Sequence, residues 1–227
     1  MHITERLERE NGRDYAMRIL KDNIIRMEME PGSVISDRDV AAQLGLSRTP
    51  VREALLDLAK VRIIEIYPQK GSSVSLVDYS LVEEARFVRS VLENAVVEVV
   101  CSVITQEQLK QLEDHVKLQR FYQAQDDHEK LGQLDDEFHR MLFQIAQKMQ
   151  AYEMMQSLTI HFDRVRNMSL NTVKEQKWVD DHEKIFEAIR DNDPQLAHSL
   201  MDKHLRRYKI DEQAIREQYP QYFKTVE

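Results

Sequence analysis

Apolar positions in the first third of the chain recur with a helical period, in two short stretches. Ser36 opens the first, Val40, Ala41 and Leu44 line its buried side, and Gly45 permits the left-handed turn that ends it. Leu46-Ser47-Arg48 leads into Thr49-Pro50, an N-cap and first-turn proline, after which Val51, Leu55 and Leu58 share one face. The period then changes to two. Ile63–Tyr67 and Ser72–Leu76 alternate on either side of Pro68-Gln69-Lys70-Gly71, the pattern of a β-hairpin.

Past Asp78 no strand pattern remains, and the sequence predicts about six amphipathic helices. The first spans about 80–103, with Leu81, Ala85, Val88, Leu92, Ala95, Val96 and Val99 on one stripe. Thr105 and Gln108 form a capping box for the second. Leu131, Leu134, Phe138, Met141, Leu142 and Ile145 mark the third. The fourth runs from about Ala151 to Asn171 and the fifth from about Lys174 to Arg190, and Asp193-Pro194 starts the last. The predicted fold is mainly α. Residues 1–78 form a winged helix-turn-helix of three helices plus a β-hairpin wing, and residues 79–227 form an all-α antiparallel bundle.

Composition agrees. The chain has 227 residues, only 5 Gly and 5 Pro, and 42% hydrophobic against 32% charged residues, which suits a helical globular protein. The charged start lacks a signal core, no apolar run is long enough to span a bilayer, and the lone Cys101 reads as a structural thiol. These features place the protein in the cytoplasm, with no membrane partner. Net charge is −8, but unevenly spread: residues 1–78 carry 12 Lys and Arg against 13 Asp and Glu, and the remainder 20 against 27. Phosphate affinity follows local basic residues rather than the total, so an acidic C-terminal half is compatible with binding double-stranded DNA.

The helix, glycine turn, capped helix and hairpin follow the order a winged helix-turn-helix needs. Arg48 and Arg52, four apart, project together from the start of the second helix, where a recognition helix meets base edges. The planar arginine fork suits guanine O6 and N7. Thr49 lies between them, Arg38 opens the preceding helix, and Lys70 and Gly71 stand at the wing tip. These six are the candidate DNA-binding residues. One such module makes few base contacts, so a homodimer on a palindromic operator is expected.

In the C-terminal half, three histidines fall on apolar stripes of separate helices. His139 follows Asp135 by four residues on the inward side of the third; His182 shares a stripe with Ile185, Phe186 and Ile189; His204 shares one with Leu200, Met201, Leu205 and Tyr208. On the residues alone these are either hydrogen-bonded core histidines or ligands to a divalent transition metal. A metalloenzyme is a third reading, but no general base is identifiable beside the site, since Glu183 points about a third of a turn from His182. A bundle that only dimerises is a fourth, and the inward polar residues count against it.

Leu46-Ser47-Arg48-Thr49-Pro50-Val51-Arg52-Glu53-Ala54-Leu55 closely resembles the recognition-helix signature of the GntR family of bacterial transcriptional regulators, with the likeness extending over about 14–76. It implies that Arg38, Arg48, Arg52 and Gly71 touch operator DNA and that the chain is not an enzyme. Val61-Arg62-Ile63-Ile64 departs from the family, which usually has an acidic residue and glycine there; Arg62 then adds a candidate phosphate contact. Arg89-Ser90-Val91-Leu92-Glu93, Asp135-Asp136-Glu137-Phe138-His139, Asp181-His182-Glu183 and Lys203-His204-Leu205 resemble the FCD effector domain of the FadR subfamily over about 80–210. Metal-binding members of that family use an Asp-x-x-x-His pair and two later histidines. The resemblance therefore implies that Asp135, His139, His182 and His204 hold a divalent ion (Zn, Ni, Mn or Fe). Arg89 matches an arginine near the effector pocket, implying a small-molecule carboxylate effector.

Overall fold

The computed structural model describes residues 1–172 and 178–224, and the chain divides into two compact units. The first takes Met1–Val82, Ile160–Asn167 and the C-terminal segment from Tyr219; the second takes Glu83–Thr159 and Met168–Gln218.

In the first unit, α1 (Gly12–Ile25) precedes β1 (Val34–Ile35), α2 (Asp37–Leu44), α3 (Arg48–Lys60), β2 (Ile64–Tyr67) and β3 (Gly71–Val74). Ser36 caps α2 by accepting from the Asp39 N–H, and Gly45 ends it at φ +65°, as its sequence predicts. The start of α3 differs from expectation. Ser47 takes the N-cap position, so Thr49 lies inside the first turn rather than before it. Leu20 and Ile24 of α1, Val40 of α2, Val51, Leu55 and Leu58 of α3, Ile63 just before the sheet, and Ile64 and Val74 within it belong to one buried core. Each such side chain contributes about 1.5–3 kcal/mol of transfer free energy on burial.

The hairpin pairs antiparallel, Ile64 opposite Val74 and Tyr67 opposite Gly71. A third strand, β1, adds to β3 through Val34 opposite Ser73 and Ile35 opposite Ser72. Two residues carry no readable alternation, which is why the sequence suggested only a hairpin. At the wing tip Gln69 has φ +63° and Gly71 φ +102°.

Arg62 explains the departure from the family pattern. After α3, the Arg62 N–H bonds the Ala59 carbonyl and the Ile63 N–H bonds the Leu58 carbonyl, a Schellman close. That close needs a left-handed residue, and Arg62 supplies it at φ +60°. The same position suits glycine, because an L side chain there is strained.

The second unit is all helical. The remainder of α4 (Tyr79–Val103) is followed by α5 (Gln106–Ala124), α6 (His128–Ile145) and α7 (Met149–Leu158). Then come the end of α8 (Ile160–Thr172), α9 (Trp178–Arg190), α10 (Pro194–Leu205) and α11 (Tyr208–Gln218). The Thr105–Gln108 capping box opens α5, and Asp193 caps α10. Val97, Val100, Leu112, Phe138, Phe143, Ile185 and Met201 lie in its core. The expected fourth helix is two, broken at Thr159, and α11 is additional to the six expected. The start of the fifth helix at Lys174 lies outside the described residues, as does the side chain of Tyr208.

The α4 stripe also differs. Its inward face carries Val82, Ala85, Val96, Val97 and Val100 together with the charged Arg89 and Glu93, while Ala95 and Val99 face out. A reading built on apolar residues alone missed that two charges sit inside. Cys101 is buried and free.

Candidate metal centre and DNA-reading surface

In the first unit all six candidate DNA-binding residues, Arg38, Arg48, Thr49, Arg52, Lys70 and Gly71, are exposed. Burial of Val51, Leu55 and Leu58 against the core turns the opposite face of α3 outward, and Arg48 and Arg52 lie on it. Both reach the same carboxylate: Arg48 Nη2 donates to Asp37 Oδ1 at 2.9 Å and Arg52 Nε to Asp37 Oδ2 at 2.5 Å. The Arg52 and Arg48 bonds hold the Asp37 carboxyl below its ordinary range. Sequence reasoning left Asp37 unassigned; its signal was an acidic side chain beside the N-cap of α2, one helix from two arginines.

In the second unit, α6 supplies Asp135 and His139 one turn apart, α9 supplies His182 and α10 supplies His204. All four are buried, and one ligand atom from each lies within 4.8 Å of the others. His204 Nε2 is 3.2 Å from His139 Nε2 and 3.3 Å from His182 Nε2. Asp135 Oδ1 is 3.5 Å from His182 Nε2 and 3.9 Å from His139 Nε2.

The outer nitrogens decide what this centre accepts. His182 Nδ1 donates to Gln119 Oε1 at 2.9 Å, and Gln119 Nε2 is oriented by the Leu134 carbonyl. His139 Nδ1 lies against Glu93 Oε2, and His204 Nδ1 faces Asp181 Oδ2 at 3.7 Å. Burial lowers the basicity of His139, and of His182 further, which keeps both imidazoles neutral. With their protons on Nδ1, their Nε2 lone pairs turn toward His204 and the Asp135 carboxylate. Lone pairs crowded this closely suit a cation, and the donor types fit a divalent transition metal. Outward hydrogen bonds of this kind orient metal-ligating histidines. Phe138 further fixes the His182 ring, stacking on it at 3.9 Å between centroids.

Sequence reasoning missed this outer ring. Asp181 and Glu93 were adjacent to or within the motifs; Gln119 had no signal. Arg89 is buried and donates through Nε to Glu93 Oε1. Glu183 pairs with Arg120 away from the centre.

A winged helix with two exposed arginines on α3, in a chain whose second unit buries a cluster of three histidines and one carboxylate, has the architecture of a DNA-binding transcriptional regulator with a helical effector domain. Residues 14–74 match the bacterial regulatory proteins of the gntR family and residues 84–207 match the FCD domain. The chain belongs to the GntR family and carries an FCD domain. It is 33% identical over 207 residues to the HTH-type transcriptional repressor RspR of Escherichia coli, 91% of either chain. It is 32% identical over 218 residues to an HTH-type transcriptional regulator of Streptomyces ambofaciens, covering 96% of this chain and 91% of that one. The solved structure of E. coli McbR/YncC shares the fold, with a TM-score of 0.77 at 19% identity over 92% of this chain and 99% of that one. These relatives are regulators, not enzymes. No described helix is long and apolar enough to cross a membrane.

Proposed function

We propose that this regulator binds a palindromic operator as a homodimer in the cytoplasm and senses a small organic acid at a metal-containing pocket of its FCD domain. In this reading residues 1–78 contact DNA through Arg38, Arg48, Thr49, Arg52, Lys70 and Gly71. Residues 79–227 hold a divalent transition ion (Zn, Ni, Mn or Fe) through Asp135, His139, His182 and His204. The observation that carries it is the convergence of those four buried ligand atoms within 4.8 Å. When bound, such an ion supplies positive charge and open coordination positions for an anion. Arg89, linked to His139 through Glu93, supplies a second cation for the effector carboxylate.

Dimerisation is supported by Phe87 and Val91, one turn apart on the outer face of α4 at 64% and 54% exposure. Apolar side chains so placed favour a partner surface.

Elemental analysis of untagged protein tests the metal, with about one divalent ion per chain expected from one four-ligand centre. Selection of duplexes from a randomised pool tests the operator, and inverted repeats are expected. Protein that takes up none of the four metals, or that selects no inverted repeat, overturns the corresponding half of the proposal.

A further inference from the structure

The helix α8 enters the first unit with three polar side chains on one face, His161, Arg164 and Asn167, each three residues from the last. Each donates to a backbone carbonyl at or just past the end of an element of the winged helix. His161 Nε2 bonds the Val61 carbonyl at the close of α3, at 2.9 Å. Arg164 Nη2 bonds the Ser75 carbonyl just past β3, at 2.7 Å. Asn167 Nδ2 bonds the Ile25 carbonyl at the last residue of α1, at 2.9 Å.

Helix ends leave carbonyls without intrahelical partners, and those of Ile25 and Val61 belong to that set. A buried carbonyl without a donor is costly, so these three bonds fix where each element stops. Arg164 shows how much the position matters. Its side chain is fully buried, and among the described residues no carboxylate pairs with it; Ser75 takes both its hydrogen bonds. Ile160, beside this face, packs into the winged-helix core.

We infer that His161, Arg164 and Asn167 are positioning residues for operator recognition: they hold the ends of α1, α3 and the wing in register, so that the reading helix and wing tip meet DNA together. The DNA-reading module is therefore discontinuous in sequence and includes a segment some hundred residues beyond the motif that identifies it. This rests on the DNA-binding reading, which the parent protein's own duplex selection checks separately.

The test uses the full chain and two probes: the duplex that the parent selects from a randomised pool, and a random duplex of equal length. His161→Leu removes the donor, whereas His161→Gln keeps an N–H able to reach Val61. His161→Leu and Asn167→Leu are each expected to lose about tenfold in affinity for the selected duplex and to bind the random duplex like the parent. His161→Gln is expected to stay within about threefold of the parent on both probes. Amide hydrogen exchange in the DNA-free variants should quicken at the end of α3 and in the wing. Parent-like affinity in both leucine variants, or a glutamine variant as weak as His161→Leu, overturns the inference. So does lost affinity with unchanged exchange, which would make these side chains direct DNA contacts. If His161→Leu does not fold by circular dichroism, Asn167→Ala takes its place under the same criteria, since its half-buried side chain is the mildest to remove.

Discussion

Glu93 and His139 meet inside the second unit: one carboxylate oxygen lies against His139 Nδ1 while the other accepts from Arg89 Nε. Burial opposes the charge on Glu93, but the Arg89 guanidinium and the Nδ1–H of the neutral His139 outweigh it and hold the carboxyl pKa down to about 2. Glu93 thereby holds the His139 proton outward and the Nε2 lone pair inward. Glu93→Gln keeps the shape and removes the charge. Loss of such an outer partner costs about 10–100-fold in metal affinity, so chelator competition should show a fall of that size. Unchanged affinity would mean that Glu93 is packing for Arg89 and nothing more.

Arg52→Ala should sharply weaken the preference for the selected duplex while the protein still melts cooperatively. One good bidentate base contact is worth about 1–3 kcal/mol of discrimination. The stability lost with the partly exposed Asp37 pair is about 0–1 kcal/mol. Gel shifts against selected and random duplexes, beside thermal melts, decide it; an intact preference removes Arg52 from the reading face.

Arg62→Gly should stabilise the first unit by about 0.5–1 kcal/mol, because glycine relieves the left-handed strain at φ +60° and gives back part of it as unfolded-state entropy. Denaturant unfolding is the measurement. A loss of stability would show that the Arg62 side chain contributes more than its backbone costs.

The recognition segment was legible because its local chemistry is dense: Ser36, Gly45 and the stripe through Val51, Leu55 and Leu58 each specify backbone geometry within a few residues. That Asp135, His139, His182 and His204 face inward was legible for a similar reason, since helical spacing puts Asp135 beside His139 and places His182 and His204 on apolar faces; spacing alone left core packing and metal binding open, and only the resemblance to FCD domains chose between them. What escaped were long-range pairings. Gln119 serves His182 from 63 residues away, and His161 serves Val61 from 100. No periodicity reports such partners. The break at Thr159 was hidden because apolar spacing continues through it. Arg62 departs visibly from the family pattern in the sequence, but its left-handed backbone at the close of α3 is not readable from the residue type.

His161 gives a pH dependence separate from the metal centre. Burial, with Arg164 adding to it against the Val61 hydrogen bond, depresses its pKa to about 4. The folded form therefore resists protonation that the unfolded chain accepts below its ordinary value near 6.5. Stability from this residue is fully present above about pH 6.5 and is lost as pH falls toward 4, roughly 2 kcal/mol of it by pH 5. His161→Gln, which cannot titrate, should lose less stability than the parent between pH 7 and pH 5. Equal losses would place the acid sensitivity elsewhere.

Effector binding should require the metal and should change operator affinity. A ligand shifts a conformational equilibrium only through its differential affinity for the two states. A carboxylate held between a bound ion and Arg89 would engage α4, α6, α9 and α10 at once, because those helices carry Arg89, Asp135 with His139, His182 and His204. It would favour one packing of these helices over another, with a coupling to DNA binding of about 1–3 kcal/mol. Dicarboxylates, hydroxy acids and sugar acids are screened by melting shift with and without chelator, and hits go to titrations on the selected duplex. His182→Ala should lose both metal and response. Arg89→Ala is a poor control, since it strands the buried Glu93 carboxylate. Arg89→Lys keeps a cation beside Glu93 but lacks the planar fork, so it should retain metal and bind the acid more weakly. Acids that bind chelated protein as well as loaded protein, or that leave operator affinity unchanged, would separate the metal from sensing and reduce it to a staple of the fold.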